Sequence, residues 1–132
     1  MSRLLLIWLN RWPDKPVRRI EYEYLDDEES MALSLVQGAY KSGEYILGGY
    51  EATYQFKVVY RLSANTIDRR LSADEKLNAL SDWITSSAPP VLGDNITRVK
   101  FTVNARSALF GRYDDGTEDH QILMTMTYEE NV

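Results

Sequence analysis

Hydrophobic and polar positions change period several times along the chain. Leu5, Trp8, Leu9 and Trp12 recur at three- and four-residue steps and predict a short helix over residues 3–12, with Pro13 ending it. Over 17–25 the period drops to two. Ile20, Tyr22 and Tyr24 fall on one side and Arg19, Glu21 and Glu23 on the other, the pattern of a half-buried strand. Asp26, Asp27, Glu28 and Glu29 form a solvated connection, after which Met31, Leu33 and Leu35 alternate again as a second strand. Residues 38–50 read as a loop, with Gly38, Gly43, Gly48 and Gly49 set among Tyr40, Tyr45 and Tyr50. The clearest strand is 52–62, where Tyr54, Phe56, Val58, Tyr60 and Leu62 face one way and Gln55, Lys57 and Arg61 the other.

A longer helix follows. Ser72 and Glu75 have the spacing of a capping box and predict its start, and Leu77, Leu80, Trp83 and Ile84 trace its apolar stripe. Ser86 to Pro90 ends it. Val99, Phe101, Val103 and Ala105 predict one more strand, and Ile122, Met124, Met126 and Tyr128 the last. Between them a long loop from Ala105 to Glu118 carries the turn signal Asp114-Asp115-Gly116-Thr117. One main helix cannot cover both faces of a sheet. The expected fold is therefore α+β, a mostly antiparallel β-sheet with the amphipathic helix packed on one face and a short N-terminal helix, forming a single domain over 1–132. The other face, bearing Lys, Arg, Glu, Gln and Thr, is left to solvent or to a partner.

Composition narrows what such a domain does. Hydrophobic residues make up 44% of the chain and aromatics 11%, enough for a packed core. With no cysteine, disulfides, thiolate nucleophiles and Cys-based zinc sites are excluded. The net charge of −5, with the bases scattered, argues against a duplex-binding protein, which normally shows a basic face. Leu4 to Leu9 is far shorter than the roughly 20 apolar residues of a membrane helix, and no small-residue cleavage site follows it. No targeting and no membrane association are expected.

A search for chemistry finds no site. His120 is the only histidine, so any triad or metal centre must include it; its position predicts a surface or strand-end role instead. Asp114, Asp115, Glu118 and Asp119 lack the alternating ligands and closing Glu of a calcium-binding loop. Gly43 to Gly49 is not followed by Gly-Lys-Ser/Thr, and Ser107 is not in a nucleophile elbow. Neither catalytic residues, cofactor nor metal is expected, and the chain reads as an assembly protein, not an enzyme.

The order of segments carries a resemblance. Met31 to Leu35 leads through a glycine-containing loop to Tyr45-Ile46-Leu47-Gly48-Gly49; then come the strand Tyr54 to Arg61 and the helix ending Leu80-Ser81-Asp82-Trp83-Ile84. Ile96-Thr97-Arg98-Val99, the Arg106-to-Tyr113 segment, Asp115-Gly116-Thr117 and a closing strand ending Thr127-Tyr128-Glu129 complete it. Over about three-quarters of its length the chain resembles the minor capsid or tail-terminator proteins of long-tailed phages and prophages of Gram-positive bacteria. The resemblance implies a ring, commonly hexameric, that caps the growing tail tube, ends its polymerisation and meets the head connector. The partners would be copies of the chain itself, the tail tube protein and a head-completion or connector protein. DNA would pass through the channel without specific binding. The location would be the head-tail joint of the virion, and the host cytoplasm during assembly.

A closed ring joins unlike patches on successive subunits. Candidate contact surfaces are the polar sheet face, the Gly/Tyr loop with Tyr40, Tyr45 and Tyr50, and the long hairpin loop with Leu109, Phe110, Arg112 and Tyr113. Asp26, Asp27, Glu28 and Glu29 are candidates to face the channel and repel DNA. Two other readings are a head-completion or stopper protein of the neck and a small module that binds one host partner.

Overall fold

The computed structural model describes residues 1–26, 28–44, 48–64 and 66–131, and of residues 37–42 and 44 the backbone only. It contains α1 (Ser2–Leu9), β1 (Ile20–Tyr22), β2 (Ser30–Glu44), β3 (Tyr50–Ser63), α2 (Ile67–Ser86), β4 (Ile96–Arg112) and β5 (Thr117–Glu130). The five strands form one sheet in the order β1-β2-β3-β5-β4. Every pairing is antiparallel except β1 with β2. This is the α+β architecture expected, with the main helix on one face.

Alternation in β3 and β5 builds the core. Tyr54, Phe56, Val58, Tyr60 and Leu62 are all buried beside Ile122, Met124, Met126 and Tyr128, and β3 lies against β5 without a break in register from Tyr50 to Ser63. Leu77, Leu80 and Ile84 of α2 close over them. Helix α1 lies beside α2 on the same face: Trp8 stacks on Phe101 at 5.1 Å and meets Trp83 at 4.8 Å between ring centres. Rings in these offset and tilted geometries gain on the order of 1 kcal/mol each beyond the area they bury. Both helices therefore sit on one side and leave the other bare.

Several local expectations are corrected. The first helix ends at Leu9, not at residue 12, although Trp12 still packs into the core at 1% exposure. The first strand has only three residues. Glu23 takes φ 56°, which turns the chain out of the sheet and leaves Tyr22 and Tyr24 exposed, not buried beside Ile20. Helix α2 starts five residues before the Ser72 box. Thr66 is its N-cap and accepts a bond from the Arg69 amide, because the true first turn needs its cap where the chain leaves β3.

The two expected loops are largely strand. Residues 38–44 continue β2, and their backbone pairs with β3 as far as Glu44↔Tyr50. Ala105 to Arg112 continues β4, so only residues 113–116 remain as a tight turn, with Gly116 at φ 87° as its sequence predicts. Both extensions contain register shifts, where bulges interrupt the strict alternation that sequence reading relies on. Gly49 has a second reason to be glycine: a Cβ there would stand 2.8 Å from the Glu130 carbonyl oxygen, at φ 84°.

Among the described residues no helix is long and apolar enough to cross a membrane.

Candidate functional site

The bare sheet face is the first candidate. Odd-numbered residues of β3 and β5 point onto it, and register sets Arg61 opposite Asp119. The Arg61 guanidinium makes a fork with Asp119, Nε to Oδ1 at 2.7 Å and Nη2 to Oδ2 at 2.9 Å. These bonds hold Arg61 firmly in its charged form, against the opposing effect of burial. Tyr113 donates its hydroxyl to Asp119 Oδ2 at 2.9 Å, and Arg61 lies 5.1 Å from the centre of its ring. Lys57 Nζ sits 4.8 Å from the ring centre of Phe110. With Glu23, Tyr24 and Ser34 these groups line a groove of about 480 Å³. Gln121 also belongs to this face, and its buried side-chain oxygen has no hydrogen-bond partner among the described residues.

The expected contact residues divide. Phe110 and Tyr113 reach the groove and are 55% and 44% exposed. Leu109, also exposed, is register partner of His120 and stands on the helix side of β4. Arg112 reaches into the helix side as well, donating to Glu118 at 3.0 Å. Tyr50 begins β3 and donates to the Glu130 carboxylate, whose bond, with burial and the negative charge adding to it, pushes the phenol up from its usual range. Tyr40 pairs with Thr53 through its backbone, while its side chain and the whole of Tyr45 lie outside the described residues. Asp26, Glu28 and Glu29 are exposed beside the β1–β2 edge of the sheet; Asp27 lies outside the described residues.

The second candidate is buried on the helix side, and it corrects the surface role expected for His120. That residue is 2% exposed. Its Nδ1 lies 2.9 Å from Asp74 Oδ1 and its Nε2 3.2 Å from Glu118 Oε1. Glu118, 1% exposed, also accepts from Arg70 Nε at 2.8 Å and from Arg112 Nε. Burial opposes its ionisation, but the bonds from Arg70, His120 and Arg112 outweigh this and hold its carboxyl below the ordinary range. Nearby, Tyr60 is pushed up to about 12 by burial and by the Glu29 carboxylate.

This cluster has the residue types of a catalytic site without its connections. Ser107 donates its hydroxyl to Asp74 at 2.6 Å, not to His120, so no serine–histidine pair is formed. Both imidazole nitrogens face carboxylates. Asp74 and Glu118 flank the ring on opposite nitrogens, and among the described residues no group of three or more such side chains converges as a metal site. What the cluster does is join α2 to the β4–β5 hairpin. Its sequence signal was the parity of β5: continuing the buried series 128, 126, 124 and 122 by two more steps reaches His120 and Glu118.

Comparison with protein-family models returns no match, and comparison with curated proteins returns none either.

Proposed function

We propose that this chain is a structural protein of a phage head-tail joint, a tail terminator that forms a ring, caps the tail tube, ends its polymerisation and joins it to the head connector. Its partners are copies of itself, commonly six, with the tube protein on one side and a head-completion or connector protein on the other. DNA passes through the ring without being held, and the assembly belongs to the virion.

The observation that carries the reading is the uncovered sheet face. Two helices crowd one side of a five-stranded sheet, while the other offers a groove with Tyr24, Phe110 and Tyr113 beside Lys57 and Arg61. Aromatic rings and arginine are the groups that protein interfaces favour, since they contribute large contact area at small entropic cost. Here Arg61 and Tyr113 are already fixed by Asp119, so little order remains to be imposed on contact. The sequence order of helix, strands, helix and closing hairpin adds the resemblance described above.

The test is polymerisation of the tail tube protein from the same genome, with and without this chain, followed by length measurement in negative stain. Terminator action gives short tubes with capped ends. Tubes that elongate equally in both samples would refute it.

A further inference from the structure

The bases are scattered along the sequence, and Arg19 pairs with Glu21 beside β1, but two edge segments of the sheet each carry charge of one sign. Strand β4, one edge, holds Arg98, Lys100, Arg106 and Arg112 and no acid. The opposite edge is β1 with the connection to β2, where residues 20–30 hold Glu21, Glu23, Asp26, Glu28, Glu29 and, by sequence, Asp27, and no base. Internal partners leave the basic edge open to solvent: the side chains of Arg98, Arg106 and Arg112 remain 78%, 55% and 57% exposed, and Lys100 is exposed.

The backbone at these edges is only partly closed. Asn10 bonds both the amide and the carbonyl of Ile20, Glu23 accepts from the Leu35 amide, and Asn78 accepts from the Ser107 amide. Such side-chain caps stop a further strand from adding at those points. Beyond them, residues 36–44 of β2 and Ile96 to Val103 of β4 have a neighbouring strand on one side only, among the described residues.

Register makes the two edges fit each other. Glu21, Ala32, Val59, Gln121 and Ala108 form one row across the sheet, and Tyr40, Thr53, Thr127 and Lys100 another. A second copy set sideways at the same height brings Glu21 and its acidic neighbours level with Arg106 and Arg112. It also sets residues 36–44 level with the first half of β4. Three antiparallel pairings separate β2 from β4, so the two strands meet in antiparallel sense, the sense that the rest of the sheet already uses.

We propose that copies of this chain associate head to tail through the sheet edges, the basic β4 edge of one against the acidic β1–β2 edge of the next. The proposal rests on the ring reading, and it identifies the contact that closes the ring. Single exposed ion pairs contribute little, but whole edges of opposite sign select partner and orientation. On this proposal the acidic run faces the next copy's arginines, not DNA in the channel.

Charge reversal tests it. One variant carries Arg106→Glu, a second Glu21→Lys and Glu28→Lys, with circular dichroism confirming that each is folded. Sedimentation velocity at low salt should show the wild type self-associating and each variant alone weakened by about a hundredfold or more. Mixing the two variants should restore association, because every contact then joins opposite charges, and the mixture closes only rings of even number. Added salt should dissolve the wild-type assembly, since a Debye length of about 10 Å at 0.1 M screens exposed charge. Variants that associate as the wild type does, a mixture that stays apart, or a monomeric wild type at low salt would each overturn the edge contact. Tube capping by the same samples separates the two levels: a wild type that caps tubes while either variant caps as well refutes the edges and keeps the terminator.

Discussion

Two arginine–carboxylate groups stand back to back at one end of the sheet, and the difference between them divides the molecule. On the helix side, Arg70 and Arg112, both partly exposed, converge on buried Glu118, which also meets buried His120. On the bare side, Arg61 meets Asp119 under the ring of Tyr113. Residues 118, 119 and 120 of one strand supply both, and alternation alone sends their side chains to opposite faces. The first group is closed: each carboxylate and both imidazole nitrogens are engaged within the domain. The second is ordered but uncovered, with Phe110 and Tyr113 half exposed beside it. Similar chemistry therefore serves as a latch on one face and stands as an ordered, exposed cluster on the other.

Breaking the latch should have the largest effect. Glu118→Ala removes the carboxylate shared by His120 Nε2 and two partly exposed guanidinium groups, and urea denaturation should show a loss of about 2–3 kcal/mol. Glu118→Gln sharpens the point through pH. Held below its ordinary 4.5 in the fold, Glu118 binds fewer protons folded than unfolded. Its contribution is thus complete above that value and drains away as pH falls through the folded-state value. Unfolding of the wild type should steepen on the acid side, and the Gln variant should lose part of that slope.

On the bare face the balance between stability and assembly should invert. Asp119→Ala frees Arg61 and Tyr113, both already near water, and should cost about 1–2 kcal/mol in the same denaturation experiment. Phe110→Ser should change the melting free energy by no more than about 0.5 kcal/mol, yet abolish capping in the tube-length assay. A Phe110→Ser protein that caps normally would remove the bare face from the account.

The comparison also explains how much was legible in the sequence. Strict alternation in β3 and β5, and the Leu77, Leu80, Ile84 stripe, carried the fold class and most of the core. What escaped depended on irregularity. Bulges in β2 and β4 broke the period where the strands continue, so Tyr40 and the Leu109 to Arg112 stretch read as loop. The latch escaped because polar types at 118 and 120 masked a parity that the apolar residues after them obey. Tyr24 was misjudged because one positive φ at Glu23 ends a strand that its side-chain pattern would extend. Phe110 and Tyr113 were singled out as members of a long loop, whereas the segment that carries them is strand and turn and leaves both half exposed. The pairing of oppositely charged edges could not be read before the strand order was known.

The most direct measurement is cryo-electron microscopy of tail tubes incubated with this chain. The account predicts rings at the tube ends in which β4 of each subunit lies antiparallel to β2 of the next, with the groove of Phe110 and Tyr113 covered. Bare tube ends, with the chain left as free monomers, would contradict it.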